Sequence, residues 1–136
     1  MDFNFGLNLI VGDKDTDFYS IRNSIAKEIG NHWQLNDYQS IVKYIHKGDI
    51  THFIVDNIFS ELHPGKHREA AKQLHNIAWL NHKVIIATCY SPVAVSVIPA
   101  NHIYLAKGDK IISTADNSIG LTLNEIFSSF MGVDSY

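Results

Sequence analysis

The sequence predicts a single α/β domain of three layers, in which a largely parallel sheet lies between helices. Short apolar runs typical of buried strands recur along the chain, at Phe5–Val11, Thr51–Val55 and Val84–Ala87. Segments with helical spacing of apolar residues separate these runs, and such alternation favours a parallel sheet with helices on both faces. The 136 residues suit one compact domain, and no repeat, low-complexity segment or linker divides the chain.

The first half of the chain predicts two strand-to-helix units. After the first strand and the loop Gly12–Asp17, a helix with Gly30 as its stop signal is expected. Its apolar face consists of Phe18, Ile21, Ile25 and Ile29. A weaker extended piece at Trp33–Leu35 then leads to a second helix that ends before Gly48. The face of that helix is formed by Ile41, Val42 and Ile45.

The second half predicts a longer helix and a short one. Pro64 suits the first position of a helix, and Asn81 can end it. The core face of that helix consists of Ala70, Ala71, Leu74, Ile77 and Ala78. After the strand Val84–Ala87, Ser91 and Pro92 open a short helix that Pro99 must close.

The tail has a different pattern. The segments His102–Ala106 and Ile111–Ser113 flank Lys107–Lys110, which predicts a hairpin. Thr122–Glu125 forms a capping-box pattern, so a last helix is expected from Leu123 to Met131. The domain therefore ends in a hairpin and a helix.

Composition excludes several function classes. The net charge of −3 is too mild to indicate a partner, and the basic cluster Lys66–Arg68 is expected to solvate a helix rather than to bind nucleic acid. The single cysteine, Cys89, excludes an internal disulfide, and its apolar strand predicts a buried thiol. No apolar run approaches the roughly 20 residues of a membrane span, and Met1–Asn4 lacks the basic start of a signal peptide. We therefore expect a cytoplasmic protein that binds neither nucleic acid nor membrane.

Functional residues are expected in the loops that follow the strands, because ligands of such sheets bind outside the carboxyl ends of the strands. Those loops are Gly12–Asp17, Asp56–Asn57 and Thr88–Ser91. A phosphate-binding version of the first loop would be glycine-rich and end in Lys-Ser or Lys-Thr. Here Asp15 and Asp17 can cap the helix themselves and would repel a triphosphate. The alternating aspartates do not form a calcium loop, since Phe18 and Ser24 replace its glycine and glutamate.

Most of the chain resembles ABC-type ATPases, especially the branch that acts in chromosome maintenance and DNA repair. Phe5–Ser20 resembles the first strand and Walker A segment, and Thr51–Pro64 resembles the Walker B strand with its following Glu-Leu-His-x-His-Pro. Lys83–Pro92 is similar to the next strand and its Thr-Thr-His-Ser-Pro switch. His102–Ile112 and Thr122–Val133 resemble the strand-turn-strand and closing helix of the group. The resemblance implies an ATPase fold that works as a dimer across the nucleotide face.

The departures from that family concern the residues that hydrolysis needs. Phe18 and Tyr19 replace the Walker A lysine and serine, so neither phosphate nor magnesium is held. Asp56 keeps the Walker B aspartate, but Asn57 replaces the glutamate and Tyr90 the switch histidine. The signature-like segment Leu35–Gln39 lacks its serine and glycine, and the helical insertion is almost entirely missing. The resemblance therefore implies a pseudo-ATPase without a cofactor, which binds an intact ATPase or a second copy of itself.

A response-regulator receiver is the alternative. Asp13, Asp56, Thr88 and Lys107 follow the order of a receiver's acid, phosphoacceptor, threonine and lysine, with Tyr104 as the switch aromatic. In that interpretation Asp13 and Asp56 hold Mg²⁺, with Asp15 as a further candidate ligand, and Asp56 takes the phosphoryl group. Three departures count against it: Gly12 replaces a paired acid, Ser60 a proline, and Gly108 a second proline. The hairpin ending also does not suit a receiver.

The two interpretations share one candidate phosphate site, formed by Gly12, Asp13, Asp15, Asp56, Thr88, Tyr90 and Lys107. Simpler roles are open for its members, since Asp56 can cap a loop and Thr88 can satisfy backbone groups in a turn. His63 and His67 have ligand-like spacing, but a metal there is the less favoured interpretation. Trp33 and Trp79 are expected to pack in the core or at its edge. A DNA-binding remnant is a third possible function.

Overall fold

The computed structural model describes residues 3–12, 16–89, 92–107 and 110–113. Its strands are β1 (Gly6–Val11), β2 (Trp33–Leu35), β3 (His52–Val55), β4 (Val84–Thr88), β5 (Ile103–Lys107) and β6 (Lys110–Ser113). Its helices are α1 (Phe18–Ile29), α2 (Tyr38–Tyr44), α3 (His67–Leu80) and α4 (Pro92–Val95). One-turn 3-10 helices at Pro64–Lys66 and Ala100–His102 precede α3 and β5. The predicted helix Leu123–Met131 with its capping box lies outside the described residues.

The six strands form one sheet in the order β2-β3-β4-β1-β5-β6. All neighbouring pairs are parallel except β5 with β6, which form the predicted antiparallel hairpin. The hairpin is tighter than the sequence predicted, because Lys107 and Lys110 still pair in the ladder. The α/β fold with a largely parallel sheet is confirmed.

Two apolar clusters lie on opposite faces of the sheet and account for the three layers. Successive residues of a strand point to opposite faces, so Leu9 belongs to one cluster and Ile10 to the other. Residues of α2, α3 and α4 pack on the face of Leu9, among them Ile41 and Leu74. Ile21 of α1 packs on the face of Ile10. Helices therefore cover both faces, as predicted, and Cys89 is buried.

Some predicted core positions are wrong, and helix geometry gives the reason. Val42 is 40% exposed and Trp79 is 58% exposed, whereas Ile41 and Ala78 beside them are fully buried. Consecutive residues of a helix lie about 100° apart, so a face centred on Ile41 turns Val42 away. Ile77 is partly buried and packs against the core, as predicted. Trp33, by contrast, packs at the sheet edge against Phe53, as predicted.

Within the described residues, no helix is both long enough and apolar enough to cross a membrane.

Candidate functional site

The carboxyl ends of four parallel strands meet at one edge of the sheet. Because β3, β4, β1 and β5 are neighbours in that order, Asp56, Thr88 and Gly12 follow adjacent strand ends or terminate them. The Cys89 N–H donates to the Ile10 carbonyl at 3.1 Å, which fastens the end of β4 to β1. The backbone of Lys107 ends β5 beside β1. Three described members of the predicted site, with the backbone of the fourth, therefore lie along one edge.

Thr88 holds the turn that follows β3. Its Oγ1 accepts a hydrogen bond from the Asn57 N–H at 2.6 Å, and its carbonyl accepts one from the Ile58 N–H at 3.2 Å. Asn57 has φ +47°, a left-handed conformation that asparagine tolerates better than most residues. Thr88 thus satisfies backbone groups in a turn, the simpler of the roles expected for it, and thereby positions Asp56.

Asp56 is paired with a cationic side chain from α1, that of Arg22. Its Oδ2 accepts a hydrogen bond from the guanidinium of Arg22, and the two form a salt bridge. The Arg22 side chain is 23% exposed and that of Asp56 is 43% exposed. The other carboxylate oxygen, Oδ1, is buried and has no hydrogen-bond partner among the described residues.

Arg22 has a second contact within α1. Its guanidinium lies over the ring of Tyr19, 5.1 Å from the ring centroid, in a cation–π contact. Tyr19 itself is 65% exposed. Arg22 therefore links the residue at the predicted Walker serine position with the predicted Walker B aspartate.

Sequence reasoning missed Arg22, although a signal was present. The core-facing residues Phe18, Ile21 and Ile25 place position 22 at the border of the apolar stripe, four residues after Phe18. A charged side chain at such a border can reach a partner on the neighbouring sheet. Since Arg22 lies one turn into α1, the ends of the strands that α1 covers are the places to look for that partner.

The space above Gly12 is filled by side chains of its own loop. A Cβ atom at Gly12 would lie 2.5 Å from Thr16 Oγ1 and 3.0 Å from Phe18 Cζ. A loop that binds phosphate needs its glycine backbone open to the ligand. Here the side chains of Thr16 and Phe18 pack against Gly12, so a Cβ atom at that position would clash with them.

Asp17 caps α1, as the sequence predicted. Its carboxylate accepts hydrogen bonds from the Ser20 hydroxyl at 2.7 Å and the Ser20 N–H at 3.1 Å. These bonds stabilise the charged form and lower the pKa of Asp17. Asp13, Asp15 and Tyr90, which complete the predicted site, lie outside the described residues.

The predicted magnesium ligand Asp56 already has a cationic partner, Arg22. Its Oδ2 is already neutralised by a guanidinium, which carries a permanent charge and cannot be deprotonated. Within the described part of the chain, no three histidine, cysteine or acidic side chains come together as a metal site. A magnesium ion would first have to displace Arg22.

A separate groove lies between α2 and α3. Its volume is about 410 Å³, and its walls are Tyr38, Gln39, Leu62, Gly65, Lys66, Glu69, Ala70 and Gln73. The signature-like segment contributes Tyr38, whose N–H donates to Glu61 at 2.8 Å and whose pKa is raised by burial.

His63 and His67, whose spacing suggested metal ligands, form hydrogen bonds with the backbone nearby. His63 Nδ1 accepts from the Gly65 N–H, and His67 Nε2 bonds the Leu62 carbonyl.

Neither a protein-family model nor a curated protein nor a solved structure matches this chain.

Proposed function

We propose that this chain is a non-catalytic relative of ABC-type ATPases that acts by binding a protein partner. The observation that carries the proposal is the contact of Arg22 with both Tyr19 and Asp56. In P-loop ATPases the serine or threonine of Walker A and the aspartate of Walker B together hold Mg²⁺. The resemblance assigns those two positions to Tyr19 and Asp56, and a guanidinium bridges them.

The sheet order agrees with the proposed ancestry. A single nucleotide site requires the Walker A, Walker B and switch segments to lie side by side. The strands that resemble them are β1, β3 and β4, which are adjacent with β4 in the middle. The three segments that resemble parts of one nucleotide site are therefore also neighbours in space. Each segment alone is a weak match.

The loop after β1 supports the loss of catalysis. Thr16 and Phe18 pack closely against Gly12, and the carboxylate of Asp17 accepts a hydrogen bond from the Ser20 N–H at the start of α1. A triphosphate would have to compete with an anion that is part of the chain and would be repelled by its charge. A phosphate would therefore compete with the Asp17 carboxylate, and a metal ion would compete with Arg22 for Asp56.

The receiver alternative has less geometric support. Receivers of the flavodoxin-like type have the strand order 2-1-3-4-5, with β1 between β2 and β3. Here β1 lies between β4 and β5. Asp56 also lacks a free carboxylate oxygen at the surface, since Oδ2 is paired with Arg22 and Oδ1 is buried.

The surface that we propose for the partner is the carboxyl edge around Tyr19. Tyrosine and arginine are enriched among residues that dominate protein interfaces, and Tyr19 is 65% exposed beside Arg22. The partner we propose is an intact ATPase or a second copy of the chain. The net charge of −3 favours neither DNA nor RNA.

Thermal unfolding with ligands tests the proposal. A ligand that binds only the folded state must raise the Tm. Because the proposal leaves no site for nucleotide or magnesium, we expect the Tm to stay unchanged with magnesium, with magnesium and ATP, and with magnesium and beryllofluoride. A rise with ATP that disappears in Asp56→Asn would contradict the loss of the nucleotide site. A rise with beryllofluoride alone would favour the receiver.

Sedimentation at increasing protein concentration tests the proposed surface for self-association. We expect wild-type dimers to weaken in Tyr19→Ser and to persist in Val42→Ser, which changes an exposed residue on another helix. If wild type stays monomeric, the purified chain is titrated with an intact ATPase of this type. Failure of both partners to bind would contradict the proposed function.

A further inference from the structure

Two histidines meet at the edge of the sheet opposite to Asp56. His75 comes from α3 and His102 from the 3-10 turn before β5. Their rings are perpendicular, at 88°, with centroids 4.8 Å apart. His102 is only 6% exposed. The pair therefore joins three elements, α3, the turn Ala100–His102 and β1, whose backbone lies beneath it.

The start of β1 is shaped to receive these rings. Gly6 has φ +110°, and a Cβ atom there would lie 2.6 Å from His75 Cε1 and 3.4 Å from His102 Cε1. The next residue, Leu7, donates its N–H to His75 Nδ1 at 3.1 Å. Only glycine allows the ring to approach the backbone this closely without a shift of either.

The hydrogen bond from Leu7 requires His75 to be neutral. Nδ1 accepts that bond with its lone pair, so the ring hydrogen must be on Nε2. A proton added to Nδ1 would face the Leu7 N–H, and two donors cannot bond one another. The Nδ1 atom of His102 is buried and has no hydrogen-bond partner among the described residues.

The side chains around the pair offer little to stabilise a positive ring. The described part of β1, the turn Ala100–His102 and α4 carry no ionisable group other than His102 itself. The other titratable or charged groups on α3 and the loop after it are His67, Arg68, Glu69, Lys72, His82 and Lys83. The Glu69 carboxylate bonds the Gln73 amide, and the Lys83 ammonium donates to backbone carbonyls of the loop before β3. The His82 ring packs against an aromatic ring, that of Phe5.

Burial lowers the pKa of both histidines from the ordinary value of 6.5 and outweighs a backbone contact with Leu7 that raises it. A proton on His75 would lower the pKa of His102 further by repulsion. A group whose pKa is lowered on folding binds its proton more readily in the unfolded chain. Its contribution to stability is fully present above pH 6.5 and is lost as the pH falls below that value.

We propose that the His75–His102 pair is an acid-sensitive joint, which fastens α3 and the start of β5 to β1 at neutral pH and releases them in mildly acidic solution. The joint is independent of the proposed function. It rests on the ring contact, the Leu7 hydrogen bond and the fit to Gly6. The event it controls is local opening of the amino edge of the sheet.

Amide hydrogen exchange of the wild-type protein between pH 7.5 and 5.5 tests the joint directly. After correction for the intrinsic rate, protection of the Leu7 amide should fall with pH, while amides in the middle of β3 keep theirs. Each proton taken up only in the open state favours opening by about tenfold per pH unit. Equal behaviour of Leu7 and β3 would overturn the proposal.

Substitutions then assign the effect to the two rings. His75→Gln offers an amide oxygen to Leu7 without titrating, and His102→Phe keeps an aromatic ring. The double variant should retain Leu7 protection at pH 5.5, whereas His46→Gln, which changes an exposed histidine, should behave as wild type. If the double variant does not fold, NMR titration of the wild-type rings decides: half-protonation of both rings at pH 6.5 or above would overturn the proposal.

Discussion

The two edges of the sheet hold side-chain pairs of opposite character. At the carboxyl edge, Arg22 and Asp56 are charged and partly exposed, and they belong to segments that follow the strands. At the amino edge, the rings of His75 and His102 contact one another and lie against the backbone of Gly6. Solvent screens the charges of the first pair, whereas close packing fixes the position of the rings in the second.

The two edges should differ in how well they tolerate mutation. A partly exposed ion pair contributes roughly 0–1 kcal/mol to stability, so its residues can change with little cost to the fold. A ring packed directly against a glycine backbone leaves no room for an added atom, because close-packed regions of a protein are as dense as organic crystals. We therefore expect mutations at the amino edge to cost more stability than those at the carboxyl edge.

The largest effect should come from Gly6→Ala. The added Cβ would clash with His75, and the residue would keep a φ of +110°, which alanine rarely adopts. Strain and overpacking together should lower the free energy of unfolding by about 2–4 kcal/mol, measured by urea denaturation. Gly48→Ala is the matched control, since nothing lies within 4 Å of its added Cβ. Equal loss in both variants would contradict the close fit at the amino edge.

A smaller effect is expected for Thr88→Val at the carboxyl edge. The substitution keeps the shape of the side chain but leaves the Asn57 N–H without its acceptor. The free energy of unfolding should fall by about 1–2 kcal/mol in urea denaturation. Thr51→Val, at an exposed position before β3, should change it much less. A loss as large as that of Gly6→Ala would mean that this edge is packed as rigidly as the other.

The Arg22–Asp56 pair should contribute less again. In a double-mutant cycle with Arg22→Met and Asp56→Asn, we expect a coupling energy of about 1 kcal/mol or less. The coupling should shrink in high salt, since exposed charges are screened. A coupling of several kcal/mol that resists salt would show that the pair is a structural element comparable to the histidine pair.

The smallest effect should be that of Asp17→Asn on acid stability. Hydrogen bonds from Ser20 lower the pKa of Asp17 from 3.8, so its contribution is present above that pH and is lost as the pH falls through the lower folded value. Asparagine is also a good N-cap residue, so the Tm of the variant at pH 7 should fall only slightly, and its difference from wild type should shrink in acid. Asp49→Asn, in an exposed turn, serves as the control. A difference that grows in acid would contradict the role of the carboxylate.

Much of the fold could be predicted because the relevant signals are local. Apolar runs marked β1, β3 and β4, and Gly30 and Asn81 marked the ends of α1 and α3. The errors fell where apolar residues are neighbours on one helix: Val42, predicted on the core face, and Trp79, predicted to pack in the core or at its edge, are both exposed. Their fate depends on the rotation of each helix against the sheet, which spacing alone does not fix.

The candidate site could be predicted only in part. Asp56 and Thr88 were identified from their positions after buried strands, and the structure brings them together through the Asn57 turn. Arg22 was missed because its partner is 34 residues away in sequence. Likewise, His75 and His102 looked like isolated histidines, and Gly6 gave no sign that it receives them.

The sequence by itself determined the alternation of strands and helices, the cap at Asp17 and the polar residues that follow the buried strands, among them Asp56 and Thr88. These features depend on neighbours within a few residues or on the residue types themselves. The tertiary structure alone decided the strand order, the pairing of Arg22 with Asp56 and the meeting of His75 with His102. Such contacts join residues that are distant in sequence, and only the packing of helices onto the sheet brings them within reach.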